Sequence, residues 1–162
     1  MTITAGDQLP NATLRFMGPD GPEATTVSAL TKGKSVVLFG LPGPFTGTCS
    51  TAHIPSFIRT RQAFADKGID DVICFAVCDV FVMKEWAQQT GAEAAGITML
   101  VDPDSSFTKS LGLEFSVPPL GFIDRTTRFA AVVRDGTVDV INFEEARGVC
   151  ELTAGETLLE AV

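Results

Sequence analysis

No apolar run in this chain approaches the length of a membrane-spanning helix, and residues 1–7 lack the basic and apolar segments of a secretory signal. Basic residues are few: 12 Lys and Arg stand against 20 Asp and Glu, which gives a formal net charge of −8. This balance disfavours nucleic acids and anionic membranes as partners. Repeats, low-complexity segments and linkers are also absent. The 162 residues are therefore predicted to form one domain, residues 1–162, with a substantial core.

Tyrosine is absent, histidine occurs once and cysteine occurs four times. The spacing of the cysteines does not resemble the disulfide framework of a small secreted domain, which favours a reducing compartment. We therefore expect a cytoplasmic protein. A mature organellar protein whose targeting peptide has been removed would show the same features.

Short apolar runs alternate with longer segments of helical pattern, which predicts an α/β fold. A turn over residues 18–22 predicts an N-terminal hairpin, and Asp135-Gly136 predicts a second hairpin near the end of the chain. The order of elements fits a thioredoxin-like fold, in which helices flank a central mixed β-sheet. The predicted strands are Thr13–Met17, Val36–Phe39, Val72–Val77, Thr98–Val101, Arg128–Arg134 and Thr137–Phe143. The predicted helices are Cys49–Lys67, Val82–Thr90, Ser105–Leu111 and Gly155–Val162.

The junction between the second strand and the first helix carries a cysteine. A loop rich in Gly and Pro, residues 40–48, connects the apolar run Val36–Phe39 to Cys49 at the predicted start of the helix. The first turn of a helix presents unpaired N–H groups and the positive end of the helix dipole, which favour an anion. A thiol in that position is favoured as the thiolate, the nucleophilic form of cysteine. The sequence therefore indicates cysteine chemistry at Cys49.

The spacing around this cysteine narrows the choice of chemistry. Pro42, Thr46 and Cys49 form a Pro-x₃-Thr-x₂-Cys pattern. This pattern resembles the signature of the peroxiredoxins, and the longer string that surrounds it resembles their type II, or atypical fifth-type, branch. Residues 81–87 and residues 120–130 resemble blocks that this branch carries downstream in the same order.

The resemblance implies a thiol-dependent peroxidase that reduces hydrogen peroxide and alkyl hydroperoxides without a cofactor or a metal. It implies that Cys49 is oxidised to a sulfenic acid. It also implies that Pro42 shields the sulfur from water, that the Thr46 hydroxyl reaches the thiolate and the peroxide, and that Arg128 is the neighbouring cation. Arg125 is the alternative to Arg128, because one extra residue in this region blurs the comparison.

The chain departs from the usual pattern of the branch at several positions. Gly47 stands where the branch usually has proline, which makes the loop before Cys49 less rigid. Cys78 lies in a segment that usually reads Val-Asn-Asp-Pro, and Phe129 replaces a tyrosine. These departures leave the Pro, Thr, Cys and Arg set intact, but they affect the expected loop geometry and dimer contacts.

Three routes for reducing the sulfenic acid remain open. The resemblance implies a resolving cysteine either at Cys74, as in plant-like members, or near Cys150, as in animal members. The third route is a one-cysteine cycle in which glutathione and glutaredoxin act directly. Cys74 also suits a small core residue, and Cys78 has no counterpart in the family. The expected partners are a hydroperoxide, a reductant (glutathione with glutaredoxin, or thioredoxin) and a second copy of the chain, in a homodimer built around the loops near Phe45 and Phe81.

Other interpretations use the same residues. Cys49 and His53 share a helix face and suggest an acyl-transfer dyad, although no oxyanion or Asn/Asp partner is indicated. Cys49, His53, Cys74 and Cys78 have spacings that are loosely compatible with a zinc site. The main alternative is a thioredoxin-fold redox sensor or binding module without peroxidase turnover. The intact set of Pro42, Thr46, Cys49 and Arg128 argues against this alternative.

Overall fold

Nine strands build the sheets of this protein, in a computed structural model that describes residues 1–162. Seven of them form one mixed sheet, and β6 and β7 form a separate hairpin. The order in the large sheet is β2-β1-β5-β4-β3-β8-β9. The strands are β1 Thr13–Gly18, β2 Gly21–Thr26, β3 Ser35–Gly40, β4 Asp71–Ala76, β5 Thr98–Val101, β6 Glu114–Val117, β7 Phe122–Thr126, β8 Phe129–Arg134 and β9 Thr137–Phe143.

The centre of the large sheet is parallel and its edges are antiparallel. β4 pairs in parallel with β3 on one side and β5 on the other. β3 and β4 are almost entirely buried, as their continuous apolar runs require, and β5 is buried at Leu100 and Val101. β8 and β9 extend the sheet beyond β3, whereas the β1–β2 hairpin extends it beyond β5. The predicted α/β fold, with a central mixed sheet and an N-terminal hairpin, is confirmed.

Helices cover both faces of the sheet and bury two hydrophobic cores. α2, α3 and α5 close the core that contains Cys49 and Cys74, whereas α1 and α4 close the core on the opposite face. Asp79 caps the start of α3 through its carboxylate, and Gly91 ends that helix with a φ of 81°. The helices are α1 Val27–Thr31, α2 Ile54–Asp66, α3 Val80–Thr90, α4 Ser106–Ser110 and α5 Gly155–Leu159.

The prediction of one regular helix from Cys49 to Lys67 is wrong at its start. Residues Cys49–His53 form a π-helical turn, in which the Ile54 N–H reaches back to the Cys49 carbonyl, and α2 begins only at Ile54. Pro55 supplies the physical reason, because a proline has no N–H to donate and its ring clashes with the carbonyl four residues earlier. A π-turn accommodates this break.

Two features escaped the sequence prediction. α1 is a single short helix, capped by the Thr26 hydroxyl. The β6–β7 hairpin, which is closed by a 3₁₀ turn at Pro118–Leu120, lies in a segment where two prolines disguise the strand pattern. None of the helices combines the length and the apolar character that crossing a membrane requires.

Candidate active site

The loop that follows β3 leads the chain to a buried cysteine. β3 ends at Gly40, and Cys49 begins the π-turn without any exposed surface. The turn is tied back to the loop, since the Ser50 N–H donates to the Thr46 carbonyl and the Thr51 hydroxyl donates to the Gly47 carbonyl. The loop and the start of the turn therefore form one hydrogen-bonded unit.

Arg128 lies directly against the sulfur of this cysteine. Its Nη2 donates to Cys49 Sγ over 3.2 Å. The register of the sheet explains the contact, because Gly40, at the end of β3, pairs with Phe129, at the start of β8. Arg128, the residue before Phe129, therefore lies beside the start of the loop that leads to Cys49. The structure thus brings the predicted Cys and Arg together.

The charge of Arg128 has no carboxylate to balance it. Arg128 is 7% exposed, and none of the four salt bridges of the protein involves it. A buried cation is costly unless a counter-charge and hydrogen-bond acceptors surround it. The two side chains that accept hydrogen bonds from Arg128 are the Cys49 sulfur and the His53 ring. Of these, only the sulfur can supply a negative charge.

His53 is a fully buried, neutral acceptor. Its Nδ1 lies 2.8 Å from Nη1 of Arg128, and because a guanidinium only donates, Nδ1 accepts. Its Nε2 therefore carries the proton and donates to the carbonyl of Thr153 over 3.1 Å. Burial, followed by the charge of Arg128, holds the pKa of His53 well below its usual value. Neither ring nitrogen faces Cys49, so the acyl-transfer dyad lacks its base.

Thr46 and Pro42 belong to the loop that precedes Cys49. The Thr46 hydroxyl donates to the carbonyl of Gly43 over 2.7 Å, so its proton is engaged within the loop and only its lone pairs remain for a bound peroxide. The expected hydrogen bond from this hydroxyl to the thiolate is absent from the structure, because Gly43 takes the proton. The Pro42 carbonyl accepts from Nη1 of Arg125 over 2.9 Å. Arg125 therefore supports the loop and does not replace Arg128 beside the sulfur.

A cavity of about 890 Å³ opens above these residues. Pro42, Thr46 and Arg128 are among the residues that line it. The β6–β7 hairpin contributes apolar side chains to the lining, which include Phe115 and Phe122. Residues 144–148 form a further part of the wall, and the hydrogen bond from the Thr48 hydroxyl to the Gly148 carbonyl joins them to the loop before Cys49. The site therefore has room for more than a water-sized substrate.

The other three cysteines have no cation in hydrogen-bond contact, and all four thiols are free. Cys74 is fully buried in β4, and burial raises the pKa of its thiol well above the usual range. Burial, followed by the charge of Asp79, raises the pKa of Cys78 to about 12. Burial also raises the pKa of Cys150.

The structure contains no group of three or more His, Cys, Asp or Glu side chains arranged to hold a metal ion. The four residues with zinc-like spacing therefore do not form a donor set. The sequence reading also missed two contacts of this region. Nε1 of Trp86, the single tryptophan, donates to the Ser50 hydroxyl in the π-turn over 2.9 Å. Thr153 acts through its backbone carbonyl, which every residue type possesses, so no sequence signal marks it.

Comparison with known proteins assigns the family. Residues 4–155 match the Redoxin family. Peroxiredoxin-2E-2, chloroplastic, of Oryza sativa subsp. japonica is 40% identical over 165 residues, which cover 99% of this chain and 73% of that protein. Peroxiredoxin-2D of Arabidopsis thaliana is 38% identical over 161 residues, with 99% and 98% covered. The chain belongs to the Redoxin family, as a type II peroxiredoxin.

The similarity of this chain to known peroxiredoxins extends to its three-dimensional structure. Reduced Prx3 from Vibrio vulnificus, which was solved in complex with hydrogen peroxide, superposes with a TM-score of 0.92 at 41% identity over 99% of both chains. The predicted family, the thioredoxin-like fold and the class of activity are all confirmed. The protein is a thiol-dependent peroxidase.

Proposed function

We propose that Cys49 is the nucleophile of this peroxidase. Its thiolate attacks the OH oxygen of a hydroperoxide; the S–O bond forms as the O–O bond breaks, and the leaving oxygen takes up a proton. The products are Cys49 sulfenic acid and either water or an alcohol. The observation that carries the proposal is the buried Arg128, which has no carboxylate partner and donates to Sγ over 3.2 Å.

Arg128, Thr46 and Pro42 complete the proposed machinery. Arg128 stabilises the thiolate and the charge that develops on the separating oxygens. The Thr46 hydroxyl, whose proton is held by Gly43, uses its lone pairs to accept the O–H of the peroxide and so orients the O–O bond toward sulfur. Pro42 lines the cavity and limits the access of water to Sγ.

Orientation has to supply most of the rate, as a simple estimate indicates. A free cysteine with a pKa of about 8.5 is about 3% ionised at neutral pH, so complete ionisation gains about thirtyfold. A thiol that ionises more readily is also a weaker nucleophile as the thiolate, and this loss of nucleophilicity cancels about tenfold of the gain. The net gain is only a few-fold. An efficient peroxidase therefore depends on aligned hydrogen-bond donors around the reacting oxygens.

The cavity supports a substrate range that includes alkyl hydroperoxides as well as hydrogen peroxide. Hydrogen peroxide needs only the polar groups of Thr46 and Arg128, whereas an alkyl group has the apolar side chains of Phe115 and Phe122 to pack against. For the recycling step we propose direct reduction by glutathione and glutaredoxin, with thioredoxin as the competing reductant. The position of Cys74 supports this choice, because it is buried within the central strand β4, where the packed backbone cannot adjust to the narrow range of Cα separations that a disulfide allows.

The proposed quaternary state is a homodimer. Several large apolar side chains are more than half exposed, among them Phe45 at 53% and Phe81 at 68%. The proposal is that these side chains form one apolar surface, because contiguous exposed apolar surfaces mark protein–protein contacts. Sedimentation velocity of the wild type and of Phe81→Asp tests the proposal, since the dimer should be lost in the variant and a monomeric wild type would exclude it.

The proposed compartment is the cytoplasm. The four free cysteines support a reducing environment. Relatives include proteins named as chloroplastic in rice and mitochondrial in Arabidopsis, so family membership does not choose among compartments. Fractionation of the source cells decides the question.

Peroxide consumption tests the function directly. The purified protein is given hydrogen peroxide or cumene hydroperoxide with either glutathione and glutaredoxin or a thioredoxin system. Multiple turnovers with both peroxides are expected, and Cys49→Ser should be inactive. A single oxidation without turnover by any reductant would instead identify a redox sensor.

A further inference from the structure

Arg128 is held by a chain of buried groups that leads away from the reacting sulfur. Its Nη1 donates to Nδ1 of His53, and Nε2 of His53 donates to the Thr153 carbonyl. Arg128, His53 and Thr153 are all buried. His53 thus links the β-sheet residue beside Cys49 to the segment that precedes α5.

A single carboxylate clamps this segment in place. Oε1 of Glu144 accepts three hydrogen bonds, from the backbone N–H groups of Glu151 and Thr153 and from the Thr153 hydroxyl, over 2.7–2.8 Å. Burial raises the pKa of Glu144, but the hydrogen bonds from Thr153 and Glu151 outweigh it, and the net pKa is lowered. Glu144 is therefore held as a carboxylate at neutral pH.

The clamped segment is also a wall of the active site. Residues 144–148 line the cavity, and the Gly148 carbonyl accepts from the Thr48 hydroxyl over 2.8 Å, next to Cys49. The same stretch of chain therefore borders the substrate and provides the acceptor that fixes the His53 ring. The wall of the cavity and the anchor of His53 therefore belong to one hydrogen-bonded segment.

We propose that His53 is a positioning residue of the peroxidase reaction, which aligns Arg128 on Cys49 only while the segment 144–154 is clamped by Glu144. This inference rests on the proposed roles of Cys49 and Arg128. With the segment closed, the Thr153 carbonyl fixes the proton on Nε2, so Nδ1 is free to accept from Arg128. With the segment open, the ring loses its anchor and Arg128 loses one of the acceptors that orient its guanidinium.

Substitutions at His53 separate positioning from simple packing. His53→Phe keeps an aromatic ring in the core but removes the acceptor for Arg128. His53→Asn places an amide oxygen near the position of Nδ1 and so retains that acceptor, at the cost of ring volume. The readout is the second-order rate of the first oxidation, measured by quenched-flow mass spectrometry on single turnovers. Unfolding midpoints in urea are measured in parallel.

The proposal predicts that His53→Phe slows the first oxidation by about a hundredfold, the scale expected for a misaligned catalytic group. His53→Asn should recover most of that rate even though it is the less stable variant. A packing role predicts the opposite order, with the rate following stability. If His53→Phe oxidises at the wild-type rate, or if His53→Asn is the slower of the two, the proposal is wrong.

Glu144 provides a second test that leaves the core intact. Glu144→Ala should slow the first oxidation by about tenfold. The control is Glu151→Ala, which should leave this rate unchanged. It removes the same charge from the same segment, but only the backbone N–H of Glu151 takes part in the clamp. In the His53→Phe background, Glu144→Ala should have little further effect, because the link is already cut. Additive effects of the two changes would contradict the proposal. A wild-type protein that does not react with peroxide would instead refute the proposed roles of Cys49 and Arg128.

Discussion

Arg128 donates from Nη2 to Sγ of Cys49 over 3.2 Å, although 79 positions separate the two residues in the chain. The antiparallel pairing of β3 with β8 produces this contact. A buried guanidinium without a carboxylate partner thus lies in hydrogen-bond contact with a buried cysteine sulfur. The reactivity of the site therefore depends on the sheet register as well as on the loop that carries the cysteine.

Replacement of Arg128 by Met should slow the reaction with peroxide by about 10²–10³-fold, the usual cost of losing one donor that stabilises developing charge. The slowing should exceed the loss in reactivity toward iodoacetamide, because alkylation needs the thiolate but not the alignment of an O–O bond. Stopped-flow peroxide kinetics and alkylation rates provide the comparison.

Arg125→Met is the matched control for this prediction. Arg125 donates to the Pro42 carbonyl and lies over the Phe122 ring. Unlike Arg128, it has no hydrogen bond to the Cys49 sulfur. We expect a smaller effect, caused by a looser loop. If Arg125→Met loses more of the rate of reaction with peroxide than Arg128→Met does, Arg125 and not Arg128 is the cation that assists the reaction.

Gly40→Ala should destabilise the protein and misplace Arg128. A Cβ at this position would lie 2.6 Å from the ring of Phe129, at the start of β8, and 2.9 Å from Cγ2 of Thr126, at the end of β7. Overpacking of this kind costs about 1–3 kcal/mol. The control is Gly47→Ala, where a Cβ meets no atom within 4 Å. Urea unfolding should give a lower midpoint for the first variant only, and equal midpoints would contradict the packing account.

His53 should make the protein less stable as the pH falls below about 6.5. Its pKa is lowered in the folded state by burial and by Arg128, so the unfolded chain binds the proton more readily. The stability linked to neutral His53 is therefore complete above the unfolded pKa of about 6.5 and is lost at up to about 1.4 kcal/mol per pH unit below it.

Urea unfolding between pH 7 and pH 5.5 measures this slope. The polar groups that contact the ring are the guanidinium of Arg128 and the neutral Thr153 carbonyl, and its aromatic neighbours Phe39 and Phe57 do not titrate. His53→Phe retains every other titrating group and should show a much flatter dependence. An equally steep slope in the variant would assign the acid sensitivity to carboxylates.

Trp86 should report whether Cys49 leaves its pocket during recycling. Its indole N–H donates to Ser50 in the π-turn, so unwinding of this turn breaks the bond and changes the fluorescence of the single tryptophan. A disulfide from Cys49 to Cys74 or Cys150 needs such unwinding, whereas attack by glutathione on the sulfenic acid needs less. We therefore expect only a small change after oxidation by one equivalent of peroxide.

Peptide mapping supplies the second half of this test. Cys74→Ser and Cys150→Ser should turn over normally with glutathione and glutaredoxin. A disulfide that forms from Cys49 at the speed of turnover, accompanied by a large fluorescence change, would overturn the one-cysteine cycle and identify the resolving residue.

The buried strands could be predicted because continuous apolar runs between turn residues leave few alternatives, as in β3 and β4. The pattern around Cys49 likewise led to the family. The π-turn was missed because the apolar pattern of the segment suits a regular helix, and only the missing N–H of Pro55 argues against one. The β6–β7 hairpin was missed because prolines normally exclude a strand.

The contacts of the site were harder to infer than its members. The resemblance indicated Thr46, but not that its proton is held by the Gly43 carbonyl. It indicated Arg128, but His53 was considered only as a base or a metal ligand. Its actual partners are a guanidinium and a backbone carbonyl from residue 153, and backbone carbonyls leave no trace in residue types.

The most direct measurement is the site of the first oxidation. One equivalent of hydrogen peroxide is added to the reduced protein in the presence of a sulfenic-acid trap such as dimedone, and the adduct is located by peptide mapping. The account predicts one adduct per chain, on Cys49, and none in Cys49→Ser under the same conditions. An adduct on Cys74, Cys78 or Cys150 that forms as fast in Cys49→Ser as in the wild type would contradict it.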